Sequence, residues 1–297
     1  MITSNQTHSA CPSCGESKVK QLIAYSKDYL HKCSRCGLVF SKVIPTIEEL
    51  EQNYAGYKPT PLPKATRNRY EELLKKFESF RKTNNLLDVG CGEGYFLLVA
   101  KEHGWNVYGT EFQDRLIQKL TAEGVNMEKG YLNPSNYPND HFDIVTSFEV
   151  IEHLSYPSSE IDNITKVLRP KGLLYLTTPN FSSLERAICG PRWKIINYPE
   201  HLIYFTPKTL HTLLKSKGLQ KIKILTHNID FNNVLKHRFS KASHKPVASP
   251  RTLYDQTALQ STFEQNKPLL ALKRLLNFFF TITKLGSAMK VYYTNQK

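Results

Sequence analysis

Leu86 to Gly94 reads LLDVGCGEG, a short apolar run with an acid inside it that breaks into three glycines at alternate positions and leads straight into YFLLVAKEHG, Tyr95 to Gly104. Apolar run, glycine turn and helical stretch in that order predict a strand entering a helix. The glycines sit where the backbone must approach a ligand more closely than side chains would permit. The spacing Gly90-Cys91-Gly92-Glu93-Gly94 is one residue shorter than the dinucleotide fingerprint, and Asp88 stands just ahead of it. A carboxylate there repels a pyrophosphate and suits a cofactor that carries an ammonium group.

Outward from this turn the same alternation continues. NVYGTE (106–111), DRLIQKLTAEG (114–124), DIVTSFE (143–149), SEIDNITKVLRPKG (159–172) and LLYLTTP (173–179) read as strand, helix, strand, helix, strand. Repeated βαβ units predict an α/β fold with a mostly parallel sheet and right-handed crossovers. Upstream, Arg67 to Lys82 carries Tyr70, Leu73, Leu74 and Phe77 at amphipathic helix spacing. Downstream, 208–217 reads as a helix, 219–226 as a strand and AMKVYYTN (288–295) as the last strand. Glu111 closes the second strand about twenty residues after the glycines, where a carboxylate accepts from both hydroxyls of a ribose. A solvated helix-capping acid is the competing reading.

Together these segments resemble the class I methyltransferases. LLDVGCGEG looks like that family's first motif and Glu111 like its second-strand acid. FDIVTSFEVIEHL (142–154) is similar to the fourth-strand motif, and VLRPKGLLYLTTP (167–179) to the helix-to-fifth-strand connection. The resemblance implies a Rossmann-like, seven-stranded sheet and S-adenosyl-L-methionine as methyl donor. It places the cofactor against Asp88, Gly90, Cys91, Gly92, Gly94, Glu111, Phe112, Phe148 and Glu149. One departure is that Gly130-Tyr131-Leu132-Asn133, after the third strand, offers no acid for the adenine amine.

Ligands of open α/β sheets lie beyond the carboxyl ends of the strands, where Glu149, Glu152 and His153 follow the fourth strand. His153 reads either as a base or as a residue that caps the helix and holds the loop. After the fifth strand, 192–210 gathers Tyr198, Glu200, His201, Tyr204 and Phe205, more polar and aromatic groups than a connector needs. An acceptor hydroxyl is a weak nucleophile at neutral pH, so His201, oriented or made more basic by Glu200, is the expected base. A structural histidine bonded to a backbone carbonyl is the alternative. The segment also resembles the Glu-His loop of zinc-containing sugar C-methyltransferases, which favours the catalytic role.

Cys11-x-x-Cys14 and Cys33-x-x-Cys36 are 18 residues apart, and each pair is followed by a glycine, Gly15 and Gly37. That is four-cysteine ribbon spacing, and a closed thiolate shell makes a single, structural zinc. Cys91 and Cys189 lack such neighbours. The expected division is a zinc ribbon over 1–45, a linker over 46–63 ending in KPTPLP, and a methyltransferase domain over 64–297 with a basic, partly helical insertion at 228–286. A ribbon followed by PTIEEL resembles bacterial methyltransferases associated with surface glycans.

The 297 residues carry a formal net charge of +14, which invites an anionic partner. The polar start has no signal-peptide run, and no stretch is long and apolar enough to span a bilayer, so the expected location is cytoplasmic. PLLALKRLLNFFFTITKL (268–285) is amphipathic with basic residues, giving either an interfacial helix on the inner membrane face or a helix packed on the domain. The expected acceptor is a small molecule, nucleotide- or lipid-linked and glycosyl in type. Two alternatives remain: an RNA methyltransferase that grips phosphates, although 16–32 has no aromatic ladder, and a non-catalytic cofactor-binding scaffold.

Overall fold

A computed structural model describes residues 6–54, 61–230, 234 and 267–297. Five short strands come first: β1 Gln6–Thr7, β2 Val19–Gln21, β3 Leu30–Cys33, β4 Val39–Ser41 and β5 Val43–Ile44. Helices α1 Ile47–Tyr54 and α2 Lys64–Phe77 lead to β6 Asn85–Val89, α3 Tyr95–Glu102, β7 Asn106–Glu111, α4 Asp114–Ala122 and β8 Asn126–Lys129. Then come β9 Phe142–Phe148, α5 Pro157–Val167, β10 Leu168–Pro179, α6 Leu184–Cys189, β11 Ile203–Tyr204, α7 Pro207–Ser216, β12 Leu219–His227, α8 Lys267–Thr283 and β13 Ala288–Asn295.

The main sheet has seven strands in the order β12-β13-β10-β9-β6-β7-β8. Pairings from β10 through β8 are parallel, and β13 runs antiparallel to both of its neighbours. This is the expected Rossmann-like α/β architecture, with α8 as the helix ahead of the last strand. The other expected features of 236–266 lie outside the described residues, as do residues 58–60 of the Pro-rich connector.

Alternation along the central strands assigns side chains to two cores. Leu86, Ile144, Leu173 and Tyr175 pack with α2 and α3 through Leu74, Phe77, Phe96 and Leu97. Leu87, Val89, Val145, Leu174 and Leu176 pack on the other face with α5, α7 and the N-terminal strands through Ile161, Leu210, Leu38 and Phe40. At the sheet's amino end, buried Asp143 accepts from the N–H groups of Lys82, Thr83 and Asn84 at 2.7–2.8 Å and pairs with Arg169.

Two differences from the sequence reading concern boundaries. The helix expected to run through Gly172 stops at Val167, and Leu168 already pairs with Phe142 before a register shift to Leu173–Ile144. Pro170 has no N–H to continue a helix, and Gly172 opposes it on entropic grounds. The N-terminal ribbon, in turn, borrows a strand. β4 pairs antiparallel with β11, Phe40 opposite Ile203 and Val39 opposite Tyr204, so the ribbon sheet reads β11-β4-β3-β2. Ser41 N–H also donates to the Leu202 carbonyl at 2.7 Å.

Candidate functional site

The three glycines after β6 have different surroundings. A Cβ added at Gly94 would lie 2.3 Å from Leu120 Cδ2, and one at Gly90 would lie 2.8 Å from Val150 Cγ2. These two positions are filled by protein. At Gly92, φ +53°, the same Cβ would meet nothing within 4 Å. Gly92 therefore faces open space and is the glycine over which a ligand can lie.

Glu111 holds this turn. Its Oε2 accepts from Gly92 N–H at 3.0 Å, while Oε1 accepts from the N–H groups of Phe112 and Gln113 at 2.8 and 3.0 Å. Thr110 Oγ1 accepts from Gly90 N–H at 3.0 Å. Three of the carboxylate's four lone-pair sites are taken by main chain, which leaves one on Oε2, so Glu111 presents a rigidly held acceptor of the kind a ribose hydroxyl requires. Its bonds to Phe112 and Gln113 stop short of Asp114, the first residue of α4, so Glu111 holds the chain ahead of the helix and does not cap the helix itself.

Phe112 and Tyr131 are 57% and 56% exposed and meet edge to face with ring centroids 4.9 Å apart. They give the departure at 130–133 a substitute: aromatic faces where a purine can stack, in place of an acid. Phe148 is half-buried and packs on Phe96, Tyr70 and Tyr175, so it forms the wall beneath the cleft. Cys91 turns inward toward Gly109, leaving its backbone N–H, bonded to the Thr110 carbonyl at 3.0 Å, as its link to the turn.

Asp88 lies beneath the loop. It is buried, accepts from Thr146 Oγ1 at 2.7 Å, and burial pushes its carboxyl up to about 7. A cation arriving at Gly90 would draw it toward the ionised form.

At the carboxyl end of β9 the chain turns through Glu149, a non-glycine residue at φ +53° whose N–H meets Thr177 Oγ1 at 3.2 Å. Glu152 follows, buried, with Oε2 accepting from Thr178 Oγ1 at 2.9 Å and no donor to Oε1. Desolvation raises both carboxyls, and each acid acts on the other. His153 Nδ1 sits 2.8 Å from the Glu200 carbonyl and His201 Nδ1 2.7 Å from the Ile195 carbonyl, with the two rings 4.7 Å apart. Carbonyls only accept, so each Nδ1 carries the proton and each Nε2 keeps a lone pair. Burial lowers both imidazoles, His153 to about 3.

The structure thus brings His153 and His201 together, which sequence spacing did not reveal. It separates the Glu200 carboxylate from His201: that carboxylate accepts from Asn197 Nδ2 at 2.7 Å, and Glu200 reaches the pair through its main-chain carbonyl, on His153. The Glu200 charge pulls His201 upward, but desolvation is the larger influence. The signals the sequence reading missed are Thr110, Tyr131, Thr146, Thr177 and Thr178. Only the fold gives each its place: Thr110, Thr177 and Thr178 near strand ends, Thr146 inside β9 and Tyr131 just past β8.

Cys11, Cys14, Cys33 and Cys36 converge with Sγ atoms within 4.8 Å of one another, including contacts of 3.7 Å for Cys11–Cys36 and 3.6 Å for Cys14–Cys33. Thiolates 2.3 Å from a zinc at the centre of a tetrahedron lie ~3.8 Å apart. The donor set fits that ion, and the separations are far beyond a disulfide bond. The ribbon is also linked to the acid–imidazole cluster. The Leu202 and Ile203 N–H groups donate to the Glu152 carbonyl at 2.8 and 2.9 Å, and these residues lead into the strand that pairs with β4.

The fold and turn define a Rossmann-like nucleotide-cofactor protein. Residues 63–224 match the family model described as a methyltransferase domain, and the chain belongs to that family. It is 30% identical over 158 residues to a ubiquinone biosynthesis O-methyltransferase of Cereibacter sphaeroides, covering 49% of this chain and 62% of that protein. A probable S-adenosylmethionine-dependent methyltransferase of Mycolicibacterium smegmatis is 28% identical over 114 residues, 38% of this chain and 44% of that one. The chain thus spans less than two thirds of the length of these curated relatives. A SAM-dependent methyltransferase structure from Archaeoglobus fulgidus shares the fold, with a TM-score of 0.52 at 18% identity over 83% of this chain and 98% of that one.

Proposed function

We propose that this chain transfers the methyl group of S-adenosyl-L-methionine to a hydroxyl of a small acceptor. The observation that carries the reading is the turn in which open Gly92 and doubly anchored Glu111 face the same space, beside an acid–imidazole cluster built on buried Glu152. Glu111 takes the ribose, Phe112 and Tyr131 the adenine, and the backbone around Gly90 the amino-acid end, over Asp88. The acceptor hydroxyl gives its proton to the cluster of Glu149, Glu152, His153 and His201. The oxygen's electron pair forms the new C–O bond as the C–S bond breaks, and neutral S-adenosylhomocysteine leaves.

The O-methyltransferase named among the relatives favours an oxygen acceptor. The resemblance of the loop around Glu200-His201 to sugar methyltransferases favours a glycosyl one, nucleotide- or lipid-linked. Cys11, Cys14, Cys33 and Cys36 hold one structural zinc, and Glu200 positions His153.

A second observation concerns α8. Leu275, Phe278, Phe279 and Ile282 form an outward stripe, each more than half exposed, and none of the described helices is long and apolar enough to cross a membrane. We read the stripe, next to a basic segment, as a peripheral contact of a cytoplasmic enzyme with anionic lipid. Stronger partitioning onto anionic than neutral vesicles, lost on deletion of 236–286, is expected; equal binding to both lipid types overturns it.

The test of the activity is mass spectrometry after incubation with methyl-deuterated S-adenosylmethionine and panels of nucleotide sugars, lipid-linked glycans and RNA. A labelled methyl ether on a small acceptor is expected. Cofactor binding without transfer to any acceptor would make the chain a scaffold, and label on RNA would move the acceptor to nucleic acid.

A further inference from the structure

Between the ribbon and the catalytic domain lies an open cleft of about 680 Å³, bounded by residues 7–15 of the ribbon, the start of α5 and the second half of α7. A space of that size holds a small molecule. We propose that this cleft binds a neutral saccharide, with the ring of Tyr156 as its stacking platform.

The platform is exposed yet held. Tyr156 is 55% exposed and lines the cleft. Its ring meets that of buried His8 at a centroid distance of 5.3 Å in a T-shaped contact, and His8 packs in the same way on Phe40 at 5.7 Å. The face of an aromatic ring carries negative charge, whereas the C–H bonds on one side of a pyranose are apolar and weakly positive. A sugar ring therefore lies flat on such a face and turns its hydroxyls to the surroundings.

Those surroundings are hydroxyls. Ser9 and Ser13 come from the ribbon, Ser158 from α5, and Thr212 and Ser216 from α7. Each serine or threonine hydroxyl both donates and accepts, as every sugar hydroxyl does, so the two sets can satisfy one another in either direction. Thr212 and Ser216 already donate to carbonyls of their own helix, those of Lys208 and Leu213, at 3.0 and 2.7 Å. Their lone pairs stay available to accept from a ligand.

Charge selects a neutral ligand over a phosphate. Cys11 and Cys14 line the same cleft, and four thiolates around one zinc ion sum to about −2, which repels an anion. Lys217, the cation among the lining residues, is paired with Asp162 Oδ2 at 2.5 Å. Burial lowers His8 to about 4 and keeps it neutral. A phosphate would have to take Lys217 from its carboxylate, whereas a sugar makes no such demand.

The cleft also adjoins the reaction site. Tyr156 follows His153 by three residues, so their Cα atoms are no more than about 11 Å apart. One consequence rests on the methyl-transfer reading, although the saccharide binding does not. The sugar in the cleft is the neighbour of the one that is methylated, which makes the acceptor an oligosaccharide rather than a single sugar and the ribbon one wall of its binding site.

The experiment uses the full, zinc-loaded chain in saturation-transfer NMR with neutral di- and trisaccharides of glucose, galactose, mannose, rhamnose and N-acetylglucosamine. Inorganic pyrophosphate, titrated by calorimetry, is the anionic comparison. Saturation of the ring protons of at least one saccharide is expected, with its affinity lowered about tenfold or more by Tyr156→Ala and by Thr212→Leu, which fills the cleft from an exposed helix position. S-Adenosylhomocysteine affinity stays at the wild-type value and shows that each variant is folded. A folded wild type that receives no saccharide of the panel overturns the proposal, as does binding undiminished in either variant. Pyrophosphate binding that Thr212→Leu abolishes would make the cleft an anion site and overturn it as well. Saccharide bound in the cleft without methyl transfer to any acceptor supports the cleft and counts against the methyl-transfer reading alone.

Discussion

The cofactor half and the acceptor half of the cleft are built by different means. On the cofactor side, β6, its glycine turn and the end of β7 lie within 27 residues, and the decisive contacts are main-chain N–H groups on one carboxylate, Glu111. On the acceptor side, Glu152 and His153 meet His201 from across the fifth strand, and the ribbon sheet holds the junction by pairing β4 with β11. A site made from one local βα turn keeps its geometry whenever the strand forms. A site assembled from two loops and a borrowed strand depends on everything that keeps those loops together.

The largest expected effect is on the cofactor side alone. Charge-assisted hydrogen bonds are worth about 1.5–3 kcal/mol each, so Glu111→Ala, which removes the free acceptor and the anchor of the turn, should weaken S-adenosylhomocysteine binding by roughly tenfold to a hundredfold in calorimetry. Binding within threefold of wild type would mean that Glu111 only braces the turn.

The ribbon should act on the other half. Cys14→Ser, or zinc removal with a strong chelator, is expected to lower turnover by about tenfold or more, the order seen when the support of a ligand is lost. S-Adenosylhomocysteine affinity should change little. Hydrogen exchange at the Leu202 and Ile203 amides should speed up together with that loss. Unchanged exchange there would uncouple the ribbon from the site.

Within the glycine turn the comparison sharpens to two residues. Gly94→Ala puts a methyl 2.3 Å from Leu120 Cδ2 and should cost about 1–3 kcal/mol of stability through overpacking, read as a lower melting temperature. Gly92→Ala meets no protein atom, so its loss should appear in cofactor affinity, well beyond its effect on melting. The reverse order would show that the open space at Gly92 is not where the ligand lies.

The smallest effect is a pH dependence. Burial raises Asp88 to about 7 in the folded chain, against about 3.9 unfolded. The folded state binds this proton more tightly, so the stability it contributes is complete below about 4 and is lost as pH rises through 7. Asp88→Asn should therefore flatten the fall in melting temperature of the cofactor-free protein between about pH 5 and 8. Parallel curves for the two proteins would place the Asp88 proton elsewhere.

How much was legible in the sequence follows the same division. LLDVGCGEG, Glu111 and the two Cys-x-x-Cys pairs announce themselves because each depends on neighbours a few residues away, and glycine and cysteine have few other reasons to recur at such spacings. The third strand, NMEK, has no apolar run, because β8 is an edge strand and only half-buried. Glu200 beside His201 suggested a pair by adjacency, yet the loop turns the carboxylate to Asn197 and gives its carbonyl to His153.

By itself, then, the sequence determined the α/β alternation, the cofactor turn, the four thiolates and an apolar basic helix near the end, since these rest on periodicity and short-range chemistry. Only the tertiary structure decided which glycine faces open space and that the ribbon contributes its edge to the strand after His201. It alone brought the two histidines and Glu152 together. Those relations depend on hydrogen bonds between segments tens to more than a hundred residues apart, such as Ser41 to Leu202, and no local pattern encodes the register in which distant strands meet.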